Sequence, residues 1–195
     1  MKTIRIVLWA LVALVSVGLG AAALRGGDEP VEVAAIGGPF TLVNQRGETV
    51  TRDDLVGKPH AVFFGYTFCP DVCPTTLWEM SEHLKALDAG GKGDLEVVFI
   101  TVDPARDTPE TLEAYVSAFD ERILALTGSR EAVDEAVRAY KATYRIHPED
   151  ENGDVLVDHT ASVFLFDGEG RFRGTIAYGE AMDTARAKLA RLVEA

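Results

Sequence analysis

Beyond residue 38 the chain falls into short apolar runs separated by amphipathic stretches, and the period of each block predicts its structure. Phe40 to Val43 and Glu48 to Thr51, divided by the turn residues Asn44 to Gly47, read as an N-terminal hairpin. Ala61 to Tyr66 is a continuous apolar and aromatic run, the mark of a strand buried on both faces. Thr75 to Leu87 follows as a helix, because Leu77, Met80, Leu84 and Leu87 recur on one face. Leu95 to Val102 is a second central strand. Pro109 to Phe119 is a helix with Thr108 as its N-cap and a proline in its first position. Ile123 to Leu126 predicts a short strand, and Ser129 opens a helix reaching about Lys141. Val155 to Val157, Ser162 to Phe166 and Phe172 to Ile176 are the closing strands, the last two joined by the Asp167 to Gly170 turn. Thr184 to Val193 ends the chain as a helix. Strands that alternate with helices and finish in an antiparallel hairpin predict an α/β fold, a mixed central sheet with helices on both faces.

Ahead of this pattern, Ile6 to Leu24 holds 19 residues without a charge. As a helix it would be about 28 Å long, close to the hydrocarbon thickness of a bilayer. Lys2 and Arg5 precede it and Asp28, Glu29 and Glu32 follow, which leaves the amino terminus in the cytoplasm. The expected organisation is a cytoplasmic segment 1–5, a transmembrane anchor 6–24, a linker 25–38 and one domain 39–195. The rival reading is a cleaved secretory signal, since Ala21 to Ala23 resembles a small-residue cleavage site. Both readings deliver the domain to the exported, oxidising side of a bacterial-type inner membrane. The net charge of −12 is uneven: the first 25 residues carry three basic and no acidic side chains, leaving −15 for the rest. An acidic body argues against nucleic acid as a partner, which needs a basic surface.

The chemistry concentrates in Tyr66 to Leu77, YTFCPDVCPTTL, which contains the only two cysteines, Cys69 and Cys73. Two thiols this close, where a strand gives way to a helix, suit either one soft metal ion or one reversible disulfide. Three residues separate them, so this is not the Cys-x-x-Cys redox motif. A permanent staple closing so short a loop would stabilise little. Pro74 suits the first helical position, which puts Cys73 at the N-cap, where the helix terminus lowers a thiol's pKa.

Four histidines offer a third ligand. His159 is the best placed, directly ahead of the Ser162 to Phe166 strand, where ligands of a sheet protein gather. His83 falls in a helical pattern and reads as a solvated helix residue. His60 and His147 adjoin Pro59 and Pro148 and read as loop or strand-edge positions. Two thiolates with one imidazole favour Cu(I) and can also hold Cu(II), whereas a structural zinc would want a fourth protein ligand. Met80 fits the apolar helix stripe and reads as core. The acidic stretch His147 to Asp154 lacks the regular oxygen-ligand pattern of a calcium loop and reads as solvated. Asp71, between the cysteines, either tunes thiol acidity, steers a partner or simply forms the turn. Asp103, ending a central strand, either orients site groups or caps local backbone.

Three blocks, the cysteine segment, Val102 to Leu112 (VDPARDTPETL) and Val157 to Asp167 (VDHTASVFLFD), together resemble the SCO/SenC family of copper-binding proteins. The resemblance covers most of Phe40 to Val193. It implies a thioredoxin-like domain, held to a membrane by one N-terminal helix, that assembles the binuclear copper site of cytochrome c oxidase. The family's copper ligands fall on Cys69, Cys73 and His159, and its acidic position falls on Asp103, a supporting residue. Implied partners are the copper-bearing subunit of the oxidase and other copper chaperones. Three function classes follow. A chaperone would pass copper by ligand exchange, a thiol-disulfide oxidoreductase would use the Cys69 and Cys73 pair to reduce a target's ligand cysteines, and a thiol peroxidase on the same fold is third. Oxidation of the pair abolishes the metal site, so the first two are coupled.

Overall fold

The computed structural model describes Ile4, Arg5 and Trp9, all helical, and residues 36–91, 94–151 and 153–194. The predicted anchor 6–24, apart from Trp9, and the linker 25–38 up to Ala35 lie outside the described residues. Among the described residues no helix is long and apolar enough to cross a membrane.

From Ile36 onward the chain forms one unit built on a seven-stranded sheet. Its strands are β1 (Thr41–Asn44), β2 (Thr49–Thr51), β3 (His60–Gly65), β4 (Glu96–Thr101), β5 (Leu124–Thr127), β8 (Val163–Phe166) and β9 (Phe172–Ile176), in the order β2-β1-β5-β4-β3-β8-β9. β3, β4 and β5 run parallel, and β1, β8 and β9 join antiparallel. All six residues of β3 are buried, as its unbroken apolar run predicts for the strand flanked by β4 and β8.

The helices are α1 (Val72–Ala89), α2 (Pro109–Val116), α3 (Arg130–Ala139) and α4 (Met182–Val193). Alternate residues of a strand point to opposite faces, and the aromatic contacts sort the helices accordingly. Phe63 packs on Phe99, which meets Tyr115 of α2, and Gly65 lies against Cys73 of α1. Phe64 turns the other way, onto Tyr140 at the end of α3. The sheet is thus covered on both faces. Thr108 and Ser129 cap α2 and α3 through hydroxyls that accept from Thr111 and Ala132 N–H.

Four expectations need correction. α1 starts at Val72 rather than Thr75, with Asp71 as N-cap, which puts Cys73 and Pro74 inside the first turn. A proline is tolerated there because the first four helical N–H groups have no intrahelical partner. His60 is no edge residue: it begins the central strand, buried, with its ring stacked on Phe166 at 5.0 Å and Nδ1–H donating to Lys58 O. His83 is buried on the inner side of α1, not solvated. The strand expected at Val155 to Val157 is β7 (Val157–His159), and it does not join the main sheet. It pairs antiparallel with β6 (Tyr144–Ile146), a strand with no counterpart in the sequence reading, as a separate two-stranded ribbon. The ribbon sets Tyr144 directly opposite His159.

Candidate metal centre

The parallel strands β3 and β4 end side by side at Gly65 and Thr101, the end of an α/β sheet where ligands gather. The chain leaving β3 turns at once, Cys69 N–H donating to Tyr66 O, and enters α1 at Val72. Cys69 is half-buried in this turn and Cys73 is buried beneath it, both as free thiols. Gly65 makes the approach feasible: a Cβ there would lie 2.6 Å from Cys73 Sγ and 2.7 Å from the Phe99 ring. Only hydrogen leaves room for the thiol.

The ribbon supplies the third group. His159 Nε2 stands 3.3 Å from Cys73 Sγ and 3.9 Å from Cys69 Sγ. Phe63 and Tyr66 meet its ring edge-on, with centroids 5.8 and 6.0 Å away. Its Nδ1 lies 3.2 Å from Thr160 O, a carbonyl that can only accept, so the proton sits on Nδ1 and Nε2 turns its lone pair to the sulfurs. The two sulfurs and an imidazole nitrogen all lie within 4.8 Å of one another. With metal–ligand bonds of about 2.0–2.3 Å, a three-coordinate ion needs donor separations of roughly 3.5–4 Å, so the set fits a soft ion after small adjustments. The same closeness permits a disulfide.

The two thiols differ in acidity. The hydrogen bond from Cys73 holds the Cys69 thiol far below the usual range, down to about 4, with the Cys73 and Asp71 N–H groups acting in the same direction against burial. Cys73 N–H points at Cys69 Sγ from 3.4 Å. Burial, joined by the charge on Cys69, pushes the Cys73 thiol up. The acidified thiol is therefore the one ahead of the helix, held down first by the Cys73 thiol and then by the N–H groups of the helix start, not Cys73 as the proline suggested. In the absence of an ion the pair is one thiolate and one thiol, and a bound ion displaces the Cys73 proton.

Asp71 lines the cleft of about 290 Å³ into which Cys69 and His159 open, together with Tyr66, Leu156 and Ala161, and it accepts a hydrogen bond from Tyr178 OH at 3.4 Å. Asp103 lies outside that cleft, buried, as the anion beside Arg106 and Arg130. Its carbonyl also caps the turn by accepting from Arg106 and Asp107 N–H. Sequence reasoning missed Asp107. Fully buried, its carboxylate accepts from Thr67 N–H at 3.1 Å, Thr67 hydroxyl at 2.6 Å and Thr101 hydroxyl, tying the cysteine turn to the end of β4. Burial raises its pKa and these bonds oppose the rise. The signal was present in the same Val102 to Leu112 block, four residues beyond Asp103. Met80 is core, as expected, and His147 is not among the converging groups, a half-buried residue 2.7 Å from Asp158.

A mixed sheet covered by helices, with two thiols at the strand-to-helix turn and one imidazole opposite, defines a thioredoxin-like domain with a soft-metal centre. The chain belongs to the SCO1/SenC family, whose model matches residues 28–194. It is 41% identical over 138 residues to the human mitochondrial SCO1 homolog, covering 70% of this chain and 46% of that one. It is 42% identical over 134 residues to protein SenC of Rhodobacter capsulatus, covering 69% and 60%. Among solved structures it is similar to Bradyrhizobium japonicum ScoI with copper bound, at 42% identity and a TM-score of 0.73, covering 81% of this chain and 99% of that one. The chain spans about half the length of the human and mouse relatives.

Proposed function

We propose that this chain binds one copper ion through Cys69, Cys73 and His159 and delivers it to the binuclear copper site of cytochrome c oxidase during assembly. The observation that carries this reading is the convergence of two sulfurs and one imidazole nitrogen within 4.8 Å, from two segments far apart in the sequence. The copper-bound ScoI structure supports copper as the ion. Cys69 offers a ready thiolate, Cys73 a second sulfur whose proton leaves on binding, and His159 a nitrogen donor that favours Cu(II). Three protein donors leave a coordination position open toward the cleft, where a recipient's thiolate or imidazole enters before Cys69 or His159 lets go. The exported domain is held to the inner membrane by residues 6–24, so the full-length protein stays with membranes after a carbonate wash.

The second reading, reduction of a recipient's ligand cysteines, draws on the acidity of Cys69 beside the free Cys73 thiol. Replacing His159 by Ala in cells separates the two. A chaperone loses Cu(II) binding and oxidase assembly while its thiol-disulfide exchange persists. Normal oxidase assembly in that variant would remove the chaperone reading and leave the redox one.

A further inference from the structure

The ribbon that carries His159 stands apart from the main sheet, and a two-stranded ribbon alone is marginally stable. What holds it over the cysteines therefore sets the geometry of the site. Two arginines do much of this. Arg106 Nη2 donates to Val155 O at 2.9 Å, two residues ahead of β7, while its Nε donates to the Asp103 carboxylate. The same guanidinium lies over the Phe68 ring at 4.7 Å, next to Cys69, and 5.8 Å from the ring of Tyr66. Tyr66 OH in turn accepts from Val157 N–H at 3.2 Å.

Arg130 grips the other strand. Its Nη1 donates to Tyr144 OH at 3.0 Å and to Val102 O at 2.7 Å, and Nη2 is 3.9 Å from Asp103 Oδ1. Tyr144, fixed further by donating to Asp134 at 2.6 Å, is the cross-strand partner of His159. Asp103, with 8% of its side chain exposed, is thus the shared anion between two cations, each holding one strand of the ribbon. A buried carboxylate with two guanidinium neighbours is a fixed point, because separating them would leave a charge unpaired.

The geometry points to Arg106, Arg130 and Asp103 as a set of positioning residues that hold His159 Nε2 at the two sulfurs and so govern how far the imidazole shares in binding. This rests on the metal-site reading above. Cu(I) can survive on two thiolates, whereas Cu(II) prefers the nitrogen, so loosening the ribbon acts chiefly on Cu(II). Outer residues that orient a ligating histidine are worth about 10–100-fold in metal affinity.

The test compares the reduced parent with Arg106→Met, Arg106→Lys, Tyr144→Phe and His159→Ala, and with Arg122→Met as a remote arginine control whose partners are Asp120 and Asp88. Cu(II) and Cu(I) affinities and the sulfur-to-Cu(II) charge-transfer band are read for each. Hydrogen exchange of the Val157 amide is read in the metal-free proteins. Arg106→Met is expected to weaken Cu(II) about 10-fold and Cu(I) less than about 3-fold, to shift the band, and to speed exchange at Val157. Arg106→Lys restores the charge beside Asp103 but not the fork, and should fall between. Tyr144→Phe keeps the ring, loses the hydroxyl bonds and moves the same readouts in the same direction, which covers the case in which Arg106→Met does not fold. If His159→Ala loses the band while Arg106→Met and Tyr144→Phe keep the parent's band, affinity ratio and exchange rate, the positioning set is overturned. If the parent and His159→Ala bind Cu(II) alike, the metal-site reading has failed instead.

Discussion

Replacing Gly65 by Ala probes the closest contact in the centre. The added methyl would sit 2.6 Å from Cys73 Sγ and 2.7 Å from the Phe99 ring, whereas ordinary contact begins near 3.4 Å. Both neighbours must retreat, by about 0.8 and 0.7 Å, in line with the hard limits of close-packed interiors. Neither has an easy path: Cys73 and Phe99 are both fully buried, Cys73 in the first turn of α1 and Phe99 in a central strand. Overpacking of this kind costs about 1–3 kcal/mol. At about 2–4 °C per kcal/mol for a domain of this size, Tm should fall by roughly 2–12 °C. A displaced sulfur would also change its spacing to His159 Nε2, now 3.3 Å, so copper affinity should drop by about 10-fold or more. Calorimetry and competitive copper titration of the reduced variant measure both. Parent-like Tm together with parent-like affinity would refute the claim that Cys73 is seated against a bare backbone.

Two other outcomes follow from the site. Cys69, held down to about 4, should be alkylated by iodoacetamide at a rate that is flat from pH 7 to pH 5 and falls only as pH passes through about 4, with Cys73 untouched; a rate still rising between pH 7 and 9 would contradict the assignment. Because the folded value lies below the unfolded one, the Cys69 thiolate contributes stability that is fully present above the unfolded pKa and is lost as pH falls toward about 4. Asp107→Ala strands Thr67 N–H and the Thr67 and Thr101 hydroxyls, and should destabilise the domain by about 2–3 kcal/mol in urea unfolding. A loss under about 0.5 kcal/mol would show that Asp107 does not tie the cysteine turn to β4.

The sheet was legible in the sequence wherever burial writes a strong pattern. The runs at Ala61 to Tyr66 and Leu95 to Val102 became β3 and β4, the Thr108 cap forms as expected, and a helix follows Ser129. The three converging residues were legible too, the cysteines from their spacing and His159 from its place ahead of a strand. What escaped depends on distant pairing. β6 is three residues, Tyr144, Arg145 and Ile146, too short for its alternation to register as a strand, and it exists because β7 lies beside it. His60 looked like an edge residue beside Pro59, yet Phe166 from β8 stacks on it and buries it. His83 was assigned to solvent from its polarity, although its helical position is on the inner side of α1. Pro74 misplaced the helix start because proline is acceptable throughout a first turn, not only at its first residue. The acidic thiol moved with it, from Cys73 to Cys69.

The central claim is that Cys69, Cys73 and His159 act together on one copper ion. Its most direct test is an anaerobic copper titration of the reduced protein beside Cys69→Ser, Cys73→Ser and His159→Ala, with Cu(I) and Cu(II) measured separately. The account predicts one tightly bound ion in the parent, loss of that ion in either serine variant, and in His159→Ala a far larger loss for Cu(II) than for Cu(I). A serine variant that binds copper as tightly as the parent, or a His159→Ala protein with unchanged Cu(II) affinity, would contradict it.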